Sequence, residues 1–271
     1  MDLRKDQHNS PAAETQKPHE DGPEFDFESP EVEERADGLR EAAAQLKVEL
    51  EVRLAGKADF DYPELLASLD RLMVLVYARY DEYVSALMST STLNVTCSKS
   101  CSHCCSHYVT SVEPYELLHL HSAIRDDEAY PGRLIAFHRR VSAFRELLGR
   151  ESMTGSADLA EDKALYRYFL KDTRCPFLTS EGACGVYASR PMSCRMFFSL
   201  SHPSFCRGKS AASPGNRNFI VELPEDIETL LAHAGMLFSR FALPEGLFEG
   251  LLKVNEVFGS LDHVPRPAQS C

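Results

Sequence analysis

Long apolar runs and a surplus of basic charge are both missing from this sequence. The longest apolar run, Leu72 to Tyr77, is short beside the roughly 20 residues that a membrane-spanning helix needs. The chain begins without the basic start and apolar run of a signal peptide, so we expect a cytoplasmic protein without a membrane partner. Acidic residues number 41 against 29 basic ones. Since nucleic-acid binding needs a concentrated basic surface, we expect no nucleic-acid partner, and we expect the Arg139–Arg140 pair on a solvated helix face.

Familiar catalytic signatures are also absent. The chain has no phosphate-binding loop, no Gly-x-Gly-x-x-Gly and no His-Glu-x-x-His. His119 and His121 stand two positions apart in a predicted helix, so they do not share a face and are not expected to form a ligand pair. The sequence therefore leaves open whether the protein is an enzyme.

The chain divides into a polar start and a larger helical part. Residues 1–60 carry 16 acidic and 8 basic side chains. Residues 1–30 are polar and rich in Pro and Glu, which predicts a disordered acidic N-terminal tail. We expect a single helical domain over residues 31–260, with a cysteine-cluster core at about 95–206, and a loose C-terminal tail over 261–271.

Apolar residues recurring at steps of three and four predict seven helices. They cover residues 31–56, 63–89, a stretch from near Glu113 to Ile124, 131–148, 157–171, 224–241 and 244–258. The helices from Pro63 to Met88 and from Pro224 to Phe258 are expected to build the core. A short strand is predicted at Phe219–Leu223. The fold class is therefore mainly α: a helical domain enclosing two irregular cysteine-rich metal-binding loops.

Eight of the nine cysteines fall into two clusters. They are Cys97, Cys101, Cys104 and Cys105, followed by Cys175, Cys184, Cys194 and Cys206. Thiolates at short spacings in a reducing compartment favour metal coordination over disulfides, although disulfides and redox-active thiols stay as alternatives. The two-residue gap between Cys101 and Cys104 lets two sulfurs converge on one ion. In an extended backbone, the adjacent Cys104 and Cys105 would point in different directions.

The second cluster has wider spacings. Gaps of 8, 9 and 11 residues suit ligands drawn from separate turns of a folded loop, and Gly182, Gly185 and Pro191 are turn formers. Arg190 and Arg195 either offset thiolate charge and donate to sulfur, or make surface ion pairs. The 69 residues between the clusters, enough for about three helices, suggest that both clusters meet on one face.

The chemistry of the ion stays open at this point. Thiolates suit zinc and iron alike, and an iron–sulfur cluster is a third option. His103 and His107 flank the first cluster and could contribute an imidazole, but we expect exposed loop histidines. Cys271, at the end of the sequence, is not expected to bind metal.

The cysteine motifs resemble those of a known family. Cys101-x2-Cys104-Cys105, Cys175-Pro-Phe-Leu and Cys184-x-Val-Tyr-x-x-Arg-Pro-x-x-Cys194-Arg are similar to motifs of the bacterial YkgJ-type cysteine-cluster proteins, described as zinc- or iron-chelating domains. The resemblance covers roughly residues 95–206 and implies metal binding, without implying a reaction for most members. Cys97 departs from the family pattern, because three residues rather than two separate it from Cys101.

Three functions follow as alternatives. The first is a metal-binding cysteine-cluster protein, whose centre holds the fold and supports a contact with a protein partner, or which carries or senses metal. The second is an iron–sulfur-dependent enzyme acting on a protein substrate, since flagellin lysine methylases look similar over a related cysteine-rich region. The third is a radical S-adenosylmethionine enzyme, because Cys97-x3-Cys101-x2-Cys104 has its three-cysteine spacing, although that fold needs strand–helix repeats and mainly helices are predicted here.

Overall fold

The computed structural model describes residues 24–56, 60–98, 100–154, 157–208 and 216–259. Helices dominate this part of the chain, which confirms the mainly α fold class. The long helices are α1 (Pro30–Leu54), α2 (Tyr62–Ser89), α3 (Pro114–Ile124), α4 (Tyr130–Thr154), α5 (Ala157–Leu170), α7 (Glu225–Met236) and α8 (Leu247–Phe258), and a single turn of helix forms α6 (Met192–Arg195).

Proline and short polar side chains determine where several helices begin. Pro30 opens α1, and the Asp61 carboxylate caps α2 by accepting a hydrogen bond from the Glu64 N–H at 2.9 Å. Helix α7 ends at Met236, earlier than predicted, because a 3₁₀ turn over Ser239–Phe241 leads into the left-handed residue Ala242. The predicted helices are therefore all present, with shifted ends.

The core forms where α1 packs against α2 and α7, and where α3 packs against α2 and α8, which in turn packs against α4. The expectation for the core is confirmed, because Leu69 and Val76 of α2 are fully buried and Leu237 is partly buried against the same core. No described helix has both the length and the apolar character that crossing a bilayer requires.

A two-stranded sheet completes the described structure. Strand β1 (Phe197–Ser199) pairs antiparallel with β2 (Asn218–Ile220), with Phe198 opposite Phe219. The predicted strand lies near β2, whereas β1 and the short α6 that precedes it were not predicted. Four residues of helix give too little periodicity to be seen in the sequence.

The predicted tails lie mostly outside the described residues. Of the N-terminal 30 residues, only 24–30 are described, and Phe25 packs against Phe219 with the ring centroids 5.9 Å apart. The C-terminal segment 261–271, including Cys271, is not among the described residues. Both tails therefore stay predictions.

Candidate metal centre

The first cysteine segment is bent rather than extended. Ser100 has a left-handed backbone (φ 72°), and a single 3₁₀ turn over His103–Ser106 carries both Cys104 and Cys105. The bend sets the two adjacent thiols close together, and the interaction with Cys105, followed by burial, raises the pKa of the Cys104 thiol well above its ordinary value.

The second segment holds its cysteines on three separate turns. Cys175 opens a turn in which its carbonyl accepts from the Leu178 N–H at 3.1 Å, and Cys184 pairs with Leu178 in an isolated bridge. Gly182, with a φ of 83°, allows the tight reversal between them. Cys194 stands on α6, and Cys206 ends a 3₁₀ turn that starts at Pro203.

The two segments pack against each other. A side chain at Gly182 would lie 3.6 Å from the Ser100 carbonyl oxygen and 3.7 Å from Ser102 Oγ. Further along, the Thr96 N–H donates to the Ser199 carbonyl at 2.9 Å. The arrangement brings together two stretches that are about 80 residues apart in the chain, which is a precondition for a shared centre.

Electrostatic neighbours divide the eight cysteines into two groups. We call the first the inner group; its members are Cys104, Cys105, Cys175, Cys184 and Cys194. The outer group consists of Cys97, Cys101 and Cys206, and partial burial together with these neighbouring thiols raises the pKa of Cys97. Cys104 interacts with members of both groups.

Burial disfavours the thiolate form at Cys175 and Cys194. It raises the pKa of the Cys175 thiol to about 11 and that of Cys194 to about 12. Neighbouring thiols raise both values further, because two negative charges so close together repel each other. The Arg190 guanidinium opposes the rise in pKa at Cys104 and Cys194. A cation would reverse this balance, since metal binding deprotonates its thiol ligands.

The described residues contain no closed coordination sphere. No group of three or more His, Cys, Asp or Glu side chains among them stands close enough together to hold a metal ion. The eight clustered cysteines are also free thiols, with no disulfide among them. The thiols are suitable ligands for a thiophilic ion. In the described structure, however, they are neighbours that do not converge on a common point.

Arg195 has a role that the sequence did not indicate. It is only 5% exposed. Its Nη1 donates to both oxygens of the Asp81 carboxylate at 2.8 and 3.0 Å, and its Nη2 donates to the carbonyls of Tyr187 and Ala188 at 2.8 and 2.9 Å. Its Nε donates to the Arg190 carbonyl at 2.7 Å. The donors therefore bind the exposed Asp81 carboxylate and the backbone of the Tyr-x-x-Arg-Pro run, and none of these hydrogen bonds goes to sulfur.

Glu116 fixes the other end of α6. Its Oε1 accepts hydrogen bonds from the Met192 N–H at 2.7 Å and from the Tyr77 hydroxyl at 2.8 Å, and Oε2 accepts from the Glu113 N–H at 3.1 Å. Cys194 thus sits on a turn that is tied at its first residue by Glu116 and at its last by Arg195. Nothing in the sequence distinguishes this glutamate from an ordinary first-turn residue of a helix.

The histidines contribute little to the site. His107 is exposed, as expected, and stacks on Phe169 with the ring centroids 4.2 Å apart. His119 is buried on α3, where its Nδ1 lies 2.8 Å from the Asp70 carboxylate. Neither histidine therefore adds a nitrogen donor to the thiols of the inner group.

A cavity of about 820 Å³ lies beside α6. Its lining includes Met192, Ser193 and Met196 from the cysteine-bearing turn and Glu113 from the start of α3. Burial, with the nearby charges of Glu116 and Glu245, raises the pKa of Glu113 to about 7. The cavity is lined by apolar side chains together with carboxylates, Glu113 and Glu116 at the α3 end and Glu222 and Glu228 on the side of α7.

Comparison with known proteins bears on the cysteine segments alone. Neither the curated proteins nor the solved structures gave a match to the chain. The motif resemblance predicted a cysteine-cluster family over roughly residues 95–206. Residues 96–213, which contain all eight clustered cysteines, match the family model CxxCxxCC, "Putative zinc- or iron-chelating domain", and this match confirms the predicted cysteine-cluster family without its YkgJ name.

Proposed function

We propose that this protein binds a zinc or iron ion through thiolates drawn from both cysteine segments. The observation that carries the proposal is the packing of the Gly182 turn against Ser100 and Ser102, which sets the two clusters side by side. The family match over residues 96–213 supports zinc or iron as the ion. The proposed ligands are Cys97, Cys101, Cys104, Cys105, Cys175, Cys184, Cys194 and Cys206.

Within this set, the inner group is proposed to hold the ion. The pKa values of three of its thiols are raised, by the interaction with Cys105 and burial at Cys104 and by burial at Cys175 and Cys194. A bound cation would stabilise the thiolate forms that these surroundings disfavour. Since no three donors converge among the described residues, we expect binding to bring the Cys104–Cys105 turn and the Cys175–Cys184 turn closer together. Bound zinc would supply a crosslink or a Lewis acid, and bound iron would add redox chemistry.

The test is anaerobic purification, followed by elemental analysis, a sulfide assay and a visible spectrum. Colourless protein with zinc indicates a structural or Lewis-acid site, and brown protein with sulfide indicates an iron–sulfur cluster. Protein that is isolated without metal, and that takes up neither zinc nor ferrous iron under reducing conditions, refutes the proposal.

A second candidate function is an iron–sulfur-dependent enzyme that acts on a protein substrate. The observation that favours it is the cavity beside α6, since a cleft next to a metal-bearing turn is where a substrate group could approach the centre. The carboxylates at the α3 end would suit a cationic group of that substrate. Loss of turnover in a Met192→Trp variant that keeps its cluster would support this function, once an activity is measured.

A further inference from the structure

Two arginines are almost fully buried in this structure, and their surroundings differ. Arg195 is 5% exposed and pairs with Asp81, as described above. Arg140, on α4, is 3% exposed and forms no ion pair with any described carboxylate. Its neighbour Arg139 is exposed, as expected, whereas the expectation of a solvated face is wrong for Arg140.

The Arg140 guanidinium is held by backbone carbonyls and aromatic faces. Nη1 donates to the carbonyls of Thr173 and Arg174 at 2.7 and 2.9 Å, and Nη2 donates to the His107 carbonyl at 3.1 Å. The guanidinium carbon also lies 5.1 Å from the Tyr168 ring centroid and 4.7 Å from that of Phe248. These contacts fix its orientation but supply no negative charge.

The three carbonyls belong to the two cysteine segments. His107 follows Cys105 by two positions, and Thr173 and Arg174 directly precede Cys175. One guanidinium, carried on a 25-residue helix, therefore joins the end of the first cluster to the start of the second. A shorter side chain would remove hydrogen bonds from both segments at once.

Among the described residues, no carboxylate balances the charge of the Arg140 guanidinium. A buried cation without an anionic partner is costly, and carbonyl dipoles compensate it only in part. The guanidinium lies beside the Cys175 backbone, because Nη1 donates to the carbonyl of Arg174, the residue directly before Cys175. A divalent ion ringed by several thiolates is itself left with a net negative charge, which a nearby buried guanidinium would balance.

We propose that Arg140 is a positioning residue of the cysteine centre: it sets the spacing of the two cysteine segments and balances the charge of the metal–thiolate group. This inference rests on the metal binding proposed above. Arg140 lies on a helix outside both clusters, and it would nevertheless influence metal affinity directly. Removing Arg140 should therefore weaken metal binding more than it weakens the metal-free fold.

The experiment compares full-length wild-type protein with Arg140→Gln, Arg140→Lys and the matched control Arg139→Gln. Zinc affinity is measured anaerobically by competition with a chelator, and melting temperatures are recorded with and without zinc. Arg140→Gln should bind zinc about 10–100-fold more weakly, as is typical when a supporting partner of a metal ligand is lost. Its melting temperature should also rise less on adding zinc. Arg140→Lys should recover part of the affinity, since it keeps the charge but not the planar fork, and Arg139→Gln should match wild type.

The outcomes separate this inference from the proposed function. If wild type binds no zinc and no ferrous iron, the proposed function fails and the inference falls with it. If wild type and Arg140→Gln bind zinc equally well, the inference alone is overturned. This holds even when the variant has a lower melting temperature than wild type both with and without zinc. Should Arg140→Gln fail to fold, Arg140→Lys is compared with Arg139→Lys, and equal zinc affinities again overturn the inference.

Discussion

Replacing Arg195 by Lys is expected to destabilise the protein through the loop that carries Cys194. Lys keeps a positive charge beside Asp81, but an ammonium cannot reproduce the planar guanidinium fork. Three backbone carbonyls then lose their donors, those of Tyr187, Ala188 and Arg190. At a net 0.5–1.5 kcal/mol for each hydrogen bond, the free energy of unfolding should fall by about 2–4 kcal/mol. For a chain of this size, the melting temperature should fall by about 5–15 °C.

A matched control is available at Arg207. Its Nε and Nη2 both donate to the Asp172 carboxylate, at 3.0 and 2.8 Å, but the pair lies at the surface, so Arg207→Lys should cost at most about 1 kcal/mol. Both variants are followed by thermal and urea unfolding of the metal-free protein. Equal, small effects would refute the reasoning, because they would mean that the buried fork of Arg195 contributes no more than an exposed ion pair.

Three further predictions concern the cysteines, a carboxyl group and the N-terminal tail. Cys194→Ser should lower both metal content and melting temperature, and Cys271→Ser neither; a Cys194→Ser protein with full metal content on elemental analysis would remove this thiol from the site. The raised pKa of Glu113, about 7, means that its stabilising neutral form is fully present below its ordinary pKa near 4.5 and is lost as the pH rises through 7. Melting temperatures between pH 4.5 and 8 should therefore decline more in wild type than in Glu113→Gln, and parallel curves would contradict this sign. A truncated protein starting at Glu31 should keep its metal, since residues 1–30 hold no cysteine, and metal loss on elemental analysis would show that the tail takes part.

The helices could be predicted because each depends on a local pattern. The stripe of α2 and the prolines that open α1, α2 and α3 are visible in the sequence without knowledge of the partners. Strand β1 could not be predicted, because three residues acquire their structure only by pairing with β2, about 20 positions later. Likewise, the end of α7 and the start of α8 depend on the turn between them and on tertiary contacts such as the hydrogen bond from the Leu247 N–H to the Val109 carbonyl at 3.0 Å.

The candidate site was predictable in its thiols and not in its supporting residues. Eight cysteines at short spacings stand out in any sequence. Glu116, Arg140 and Arg195 do not, because charged residues are solvated in most proteins and only the folded structure shows which ones are buried. The division into inner and outer groups also depends on turns whose packing joins distant parts of the chain.

The tying of α6 at both ends has an entropic consequence for Cys194. The backbone of this turn is ordered when the helices pack, because Glu116 holds its first residue and Arg195 its last. Cys97, by contrast, is exposed and lies outside the described helices and strands. Ordering a backbone residue costs about 1–2 kcal/mol. Cys194 meets that cost during folding, so it has less conformational freedom left to lose than Cys97 when a ligand binds.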